Sequence, residues 1–168
     1  RLAMTGNNHG SLVCVKGQWY IFYHRHTNKT CYSRQGCAEK ITILPNGSIP
    51  QVEMTSQGLN DGPLKASGEY PAAICCNLYN SKLQKIGHTP VVGYKYFDFS
   101  GQTQFTVTYR GSGKLRVFTE DKTLGEMTLT PTEPWKTATI SFTEEGKHAL
   151  YLQTVGDTMC DLLEIGFC

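Results

Sequence analysis

Apolar and polar positions alternate along most of this chain, and helical periodicity is nearly absent. Leu12 to Lys16 and Gln18 to Arg25 are two β-rich runs joined at Gly17, which reads as a hairpin. Ile41 to Leu44 follows, then Pro45-Asn46-Gly47, where Asn and Gly tolerate a positive φ and turn the chain toward a further strand over Ile49 to Met54. Gly58, Asn60, Asp61, Gly62 and Pro63 then crowd together with few apolar residues, predicting a connection between two units. Beyond it alternation resumes, beginning with Tyr70 to Tyr79 as a first strand. Tyr94 to Phe99, Phe105 to Tyr109, Leu115 to Phe118, Glu126 to Thr130, Lys136 to Phe142, His148 to Gln153 and Leu162 to Phe167 continue the series. Gly111-Ser112-Gly113 and Glu145-Gly146-Lys147 read as turns between them. Strand centres spaced by roughly 10 residues predict a sandwich or barrel, and about eight strands suit a jelly roll.

The first ~55 residues supply about four strands, too few to bury both faces of a sheet alone. They are one propeller blade's worth, and a blade needs neighbours to cover its faces. The chain opens at Arg1 on a polar Gly/Asn stretch with neither a signal-peptide pattern nor an initiator Met, so it reads as an internal or trimmed segment.

Composition narrows the class. Hydrophobic residues make up 39% and charged residues 18% of the 168, which fits a globular chain. The net charge is +2 and the sixteen Lys and Arg are scattered singly, which argues against a nucleic-acid partner. No apolar run approaches the ~20 residues of a membrane span. Seven cysteines are present, none in a C-x-x-C pair that would suggest zinc. Cys31 with Cys37, or Cys160 with Cys168, could pair, but most of the seven read as buried free thiols.

The run Thr5-Gly6-Asn7-Asn8-His9-Gly10-Ser11, then Gly17-Gln18-Trp19-Tyr20-Ile21-Phe22-Tyr23-His24-Arg25, Ser33-Arg34-Gln35 and the Pro-Asn-Gly turn, resembles the last blade of glycoside hydrolase family 43 enzymes. Those are five-bladed β-propellers that cleave arabinofuranosyl or xylosyl linkages. The resemblance implies an all-β chain: residues 1–58 as the terminal propeller blade, 59–67 as a linker, and 68–168 as a jelly-roll-like β-sandwich similar to carbohydrate-binding modules.

By that resemblance His9 would help hold a central calcium ion through water, and Arg34 would reach the sugar beside the scissile bond. His24, His26 and Asn8 would join the substrate rim. A planar five-donor guanidinium suits vicinal hydroxyls and an adjacent carboxylate. Alternation along the strand sends His24 and His26 to one face and Arg25 to the other. Trp19, between β-rich neighbours, reads as packing. Trp135, Tyr94, Tyr96 and Tyr151 could offer a sugar platform, but core or barrel-edge packing is the better account of each, and the sequence does not choose among them.

An inverting glycosidase needs two carboxylates ~6.5–9.5 Å apart. In this family the carboxylates come from earlier blades, so no catalytic residue is expected within this chain. Glu53, Asp61, Glu69, Asp98, Glu120, Asp121, Glu126, Glu144 and Glu145 sit at turns or strand ends, where charged residues are mostly solvated. The expected function is the carboxyl-terminal part of a hydrolase acting on plant polysaccharides such as xylan, inert alone and packed on upstream blades. The alternative is a non-catalytic carbohydrate-binding or structural module. For the parent enzyme the resemblance favours a secreted or periplasmic setting and leaves a bacterial-type cytoplasmic one open.

Overall fold

The computed structural model describes residues 9–26, 32–79 and 91–168. It is all-β. Three strands, β1 (Gly10–Val15), β2 (Gln18–His26) and β3 (Arg34–Ile41), form an antiparallel sheet in the order β1-β2-β3. The β1–β2 connection is the predicted hairpin, with Val15 opposite Gln18. Lys16 and Gly17 both adopt positive φ, 51° and 84°, as the primed two-residue turn matching strand twist requires.

The remaining elements are β4 (Leu64–Lys65), β5 (Gly68–Pro71), a 3-10 turn (Ala72–Ile74), β6 (Asn77–Tyr79), β7 (Val91–Phe118) and β8 (Thr123–Phe167). β7 and β8 are long bent runs that change partners along their length. Residues 97–109 pair with 136–148, and 105–109 also pair with 162–167, beside which β5 lies. Residues 91–94 pair with 150–153, while 115–118 lie between 151–154 and 123–127. The result is two layers over one core. Phe97, Phe99, Phe105, Val107, Tyr109 and Phe167 from the first layer, and Val92, Leu115, Val117, Met127, Leu150 and Leu152 from the second, form one buried cluster. Period-two alternation produces it: between those inward residues, Asp98, Ser100, Gln102 and Gln104 are exposed. Each buried Phe or Leu contributes about 1.5–3 kcal/mol.

Several sequence expectations need correcting. Gly111 to Gly113 is not a turn: Gly111 pairs with Cys160, and Ser112 with Met159. A Cβ on Gly113 would lie 2.4 Å from Thr158 Oγ1, and one on Gly111 would lie 2.2 Å from the Met159 carbonyl oxygen. These glycines therefore mark a close crossing of β7 by β8. Glu145-Gly146-Lys147 likewise stays in the ladder opposite Ser100, Phe99 and Asp98. The strand expected over Ile41 to Leu44 instead ends at Ile41 and begins at Arg34. Ile49 to Met54 joins no ladder. Pro50 lacks an N–H, and Glu53 is bonded to the sandwich instead. Tyr70 to Tyr79 is broken in the middle by the 3-10 turn after Pro71. Leu64–Lys65, within the segment read as a linker, adds a parallel pairing to Phe97 and Asp98. The six described cysteines are all free thiols, so Cys160 and Cys168 do not pair; the other suggested pair includes Cys31, which lies outside the described residues. Trp19 is 38% exposed and does not serve as core packing.

The sheet and the sandwich are joined by polar contacts. Ser56 N–H donates to the Lys95 carbonyl, and Lys95 N–H donates back to Ser56 Oγ at 3.1 Å. Lys95 Nζ and the Tyr96 hydroxyl both donate to Glu53, at 2.7 Å and 2.9 Å.

Candidate functional site: one face of the three-stranded sheet

The sheet gathers four of the five residues singled out from the sequence. His9 immediately precedes β1, and its ring stacks on His24 with centroids 5.9 Å apart. His24 and His26 are two residues apart on β2, so they share a face, with centroids 5.7 Å apart. Arg34 stands directly opposite His26 in register and is exposed. Cross-strand partners share a face, so the three imidazoles and the guanidinium line one side at one end of the sheet. Asn8 lies outside the described residues.

Of this row the exposed Arg34 suits the hydroxyls of a sugar better than a hard cation. Both ring nitrogens of His26 are shielded from solvent and have no hydrogen-bond partner among the described residues. Calcium prefers six to eight oxygen ligands, and this face offers imidazoles and a guanidinium. No cluster of three potential metal ligands occurs among the described residues. These residues alone do not fit a calcium site.

The opposite face turns toward the sandwich. Arg25, which the sequence placed opposite His24 and His26, is only 4% exposed. It donates from Nε to Gln35 Oε1 at 3.0 Å and from Nη2 to the Ala73 carbonyl at 3.2 Å. Four residues along β3 from Gln35, the cross-strand partner of Arg25, Glu39 is also buried. Its carboxylate accepts from the Thr55 N–H at 2.7 Å, the Thr55 hydroxyl at 2.6 Å and the Tyr23 hydroxyl at 3.1 Å. Burial pushes the Glu39 carboxyl above its ordinary range, although the bonds from Thr55 and Tyr23 oppose the shift.

Glu39 and Glu53 both line a cleft of about 290 Å³ between β3 and residues 50–60. Burial works to raise Glu53 as well, but the hydrogen bonds from Lys95 and Tyr96 hold it below the usual carboxylate range. Two carboxyls with opposed shifts resemble an acid–base pair. Both Glu39 oxygens, however, are already occupied by Thr55 and Tyr23, so the group braces the loop instead of donating a proton. Glu39 escaped the sequence reading. Its position in alternation with Gln35, Cys37 and Ile41 was the available signal.

In the sandwich, Tyr94 is core. Tyr151 stacks on Phe118 at 5.2 Å, and Tyr96 carries Lys147 Nζ 4.1 Å from its ring centre. Trp135 alone of the four is broadly open, at 43% exposure. The Arg110 guanidinium lies 4.9 Å from its ring centre and is itself bonded to Asp161.

No family model matches the chain. A xylosidase/arabinosidase from Thermoclostridium stercorarium is 39% identical over an alignment of 200 positions, covering 97% of this chain and 42% of that protein. The chain thus spans about two fifths of the length of the curated relative it matches. Among solved structures, the module CsCBM6-3 from Clostridium stercorarium in complex with cellobiose has a TM-score of 0.57 at 16% identity, covering 64% of this chain and 98% of its own. A family 6 carbohydrate-binding module from Clostridium cellulolyticum in complex with xylose has a TM-score of 0.55 at 16% identity, covering 62% and 98%. At such identities the likeness is one of fold, the β-sandwich.

Proposed function

We propose that this chain is the carboxyl-terminal part of a family 43-type glycoside hydrolase acting on arabinofuranosyl or xylosyl linkages of plant polysaccharides. In this reading β1–β3 form the last blade of a propeller and residues 68–168 a carbohydrate-binding-module-like sandwich, with 59–67 between. The observation that carries it is the row His9–His24–His26–Arg34 on one face of a sheet whose other face is bonded to the sandwich. The similarity to a xylosidase/arabinosidase supports the substrate class. Upstream blades would supply the carboxylates, one activating water and the other protonating the leaving oxygen. Arg34 would position the sugar and lower the pKa of a carboxylate beside it. A calcium ion would take its oxygen ligands from outside this face and meet His9 through water.

Hydrolysis of nitrophenyl α-L-arabinofuranoside and β-D-xyloside by the purified chain, with calcium present, tests the reading. No turnover above buffer is expected. Turnover abolished by His9→Ala would show a complete site in this chain and overturn it. One observation favours a second reading, a non-catalytic binding module: Trp135 is open on a sandwich like those of sugar-binding modules. Xylo-oligosaccharide binding lost in Trp135→Ala and kept in Arg34→Ala would favour that reading.

A further inference from the structure

Arg25 raises a question that neither the sugar-facing row nor the sandwich core answers. Its side chain is almost completely buried, yet it forms no ion pair among the described residues. Burying a charge costs several kcal/mol unless an opposite charge compensates it, and arginine stays protonated in proteins. Its bonds go to neutral acceptors: Gln35 Oε1, the Ala73 carbonyl and, at 3.5 Å, Cys75 Sγ. Nη1 makes no hydrogen bond among the described residues.

The thiols beside it do not supply the missing charge. Burial pushes Cys37, Cys75 and Cys76 above the ordinary thiol value; the guanidinium partly opposes this for Cys37 and Cys75, and Ser56 and Lys95 do so for Cys76, so all three are neutral at pH 7. Glu39, on the same face, spends its oxygens on Thr55 and Tyr23.

Arg25 also lines a half-open cavity of about 140 Å³ between the sheet and the sandwich. Gln35, Thr55, Ser56, Cys75 and Cys76 share its wall. Gln35 Nε2, the Thr55 hydroxyl and Cys76 Sγ already donate to Ala73, Glu39 and Gly93, which leaves the Arg25 guanidinium and the Cys75 thiol as the donors a ligand would meet. It is smaller than the ~300 Å³ at which pockets for larger ligands begin. Against the ~30 Å³ that a water occupies, it has room for a halide or a short carboxylate.

We propose that this cavity is a binding site for a compact monovalent anion, which completes the charge balance of Arg25 and secures the blade-like sheet to the sandwich. The ligand accepts hydrogen bonds from the guanidinium and meets both units, through Arg25 on one side and the 3-10 turn region on the other.

Thermal unfolding of the whole chain tests this at constant ionic strength. Sodium bromide or sodium acetate would replace the sodium salt of a bulky sulfonate that the cavity cannot admit. A saturable rise in Tm of roughly 5 °C is expected with at least one of the two. A response to bromide alone assigns the site to halides, to acetate alone to carboxylates, and to both to compact anions generally. In crystals grown with bromide, anomalous density should appear beside Arg25. Arg25→Gln should abolish the response. Cys75→Asp, which places a carboxylate where the thiol now meets Arg25, should make the protein indifferent to both salts. Equal Tm in bromide, acetate and sulfonate would overturn the proposal, as would a response that survives in Cys75→Asp. Both readouts hold even if Arg25→Gln fails to fold.

Discussion

The three-stranded sheet and the sandwich are built from the same alternating pattern but differ in how much of it they bury. In the sandwich, inward positions such as Phe97, Phe105, Leu115 and Leu150 are essentially inaccessible. In the sheet, every residue of β1 is exposed, including Leu12, Val13 and Val15. Its buried side chains are Arg25, Glu39 and Ile41, two of them charged and turned toward the sandwich side. Alternation thus specifies a strand, but a second layer decides whether its apolar side becomes a core. An open edge with exposed Leu and Val is an aggregation liability unless something covers it, and upstream blades would do so under the proposed function. Stability should therefore be uneven. Hydrogen exchange should protect residues 105–109 and 150–154 far more strongly than β1, whereas equal protection would mean that the sheet is self-sufficient.

The largest expected effect breaks the crossing of β7 by β8. Gly113 has φ 130°, and a Cβ there would lie 2.6 Å from Thr158 Cα, a contact that no rotamer change relieves. Gly113→Val should cost more than about 4 kcal/mol in urea unfolding, or prevent folding. Gly36→Ala in β3 is the counterpart, since nothing lies within 4 Å of its added Cβ. That change should be neutral or slightly stabilising.

Core truncation comes next. The Phe167 ring centre lies 4.6 Å from Phe97 and 5.2 Å from Phe105. Phe167→Ala should cost about 3–5 kcal/mol. Leu12→Ala, at a position 46% exposed, should stay within about 0.5 kcal/mol. Similar costs for both would refute the contrast between the two units.

The same contrast explains what could be read from the sequence. The hairpin at Gly17, the sandwich strands and the sidedness of His24, Arg25 and His26 follow from local alternation and turn chemistry, so they were legible. Gly111 and Gly113 were misread because a glycine needed for a turn and one needed for a backbone crossing look alike in sequence; only the partner segment 158–160 separates them. Arg25 and Glu39 were overlooked as interface residues because their roles depend on Ala73 and Thr55, 48 and 16 positions away. His9, His24, His26 and Arg34 were found by motif, and the register explains why they belong together.

A smaller effect concerns pH and the dock. Glu39 is held above its unfolded value mainly by burial, with the bonds from Thr55 and Tyr23 opposing. Such a group stabilises the fold fully below its unfolded pKa of about 4.3, and that contribution disappears as pH rises through the raised folded value. Glu39→Gln keeps a carbonyl acceptor for Thr55 N–H but cannot ionise. The stability of the variant relative to the parent should therefore increase from about pH 4 upward and level off once the pH exceeds the raised folded value. A constant difference across that range would show that Glu39 does not titrate with folding.

The smallest effect has the opposite sign. Burial alone would raise Glu53, but the Lys95 and Tyr96 bonds outweigh it and hold the carboxyl low. Its contribution is therefore present above an unfolded pKa of about 4.3 and lost as pH falls through the depressed folded value. The Glu53 side chain is 51% exposed, so solvent screens the pair and Glu53→Gln should cost only about 0.2–1 kcal/mol at pH 7. That cost should shrink with added salt and as pH falls through the depressed folded value. Urea unfolding of both variants at pH 3, 5 and 7 would then show two carboxyls of one cleft changing stability in opposite directions, Glu39→Gln gaining on the parent with pH and Glu53→Gln falling behind it. Parallel trends would mean that the shared cleft, and not the separate partners Thr55 and Lys95, governs both groups.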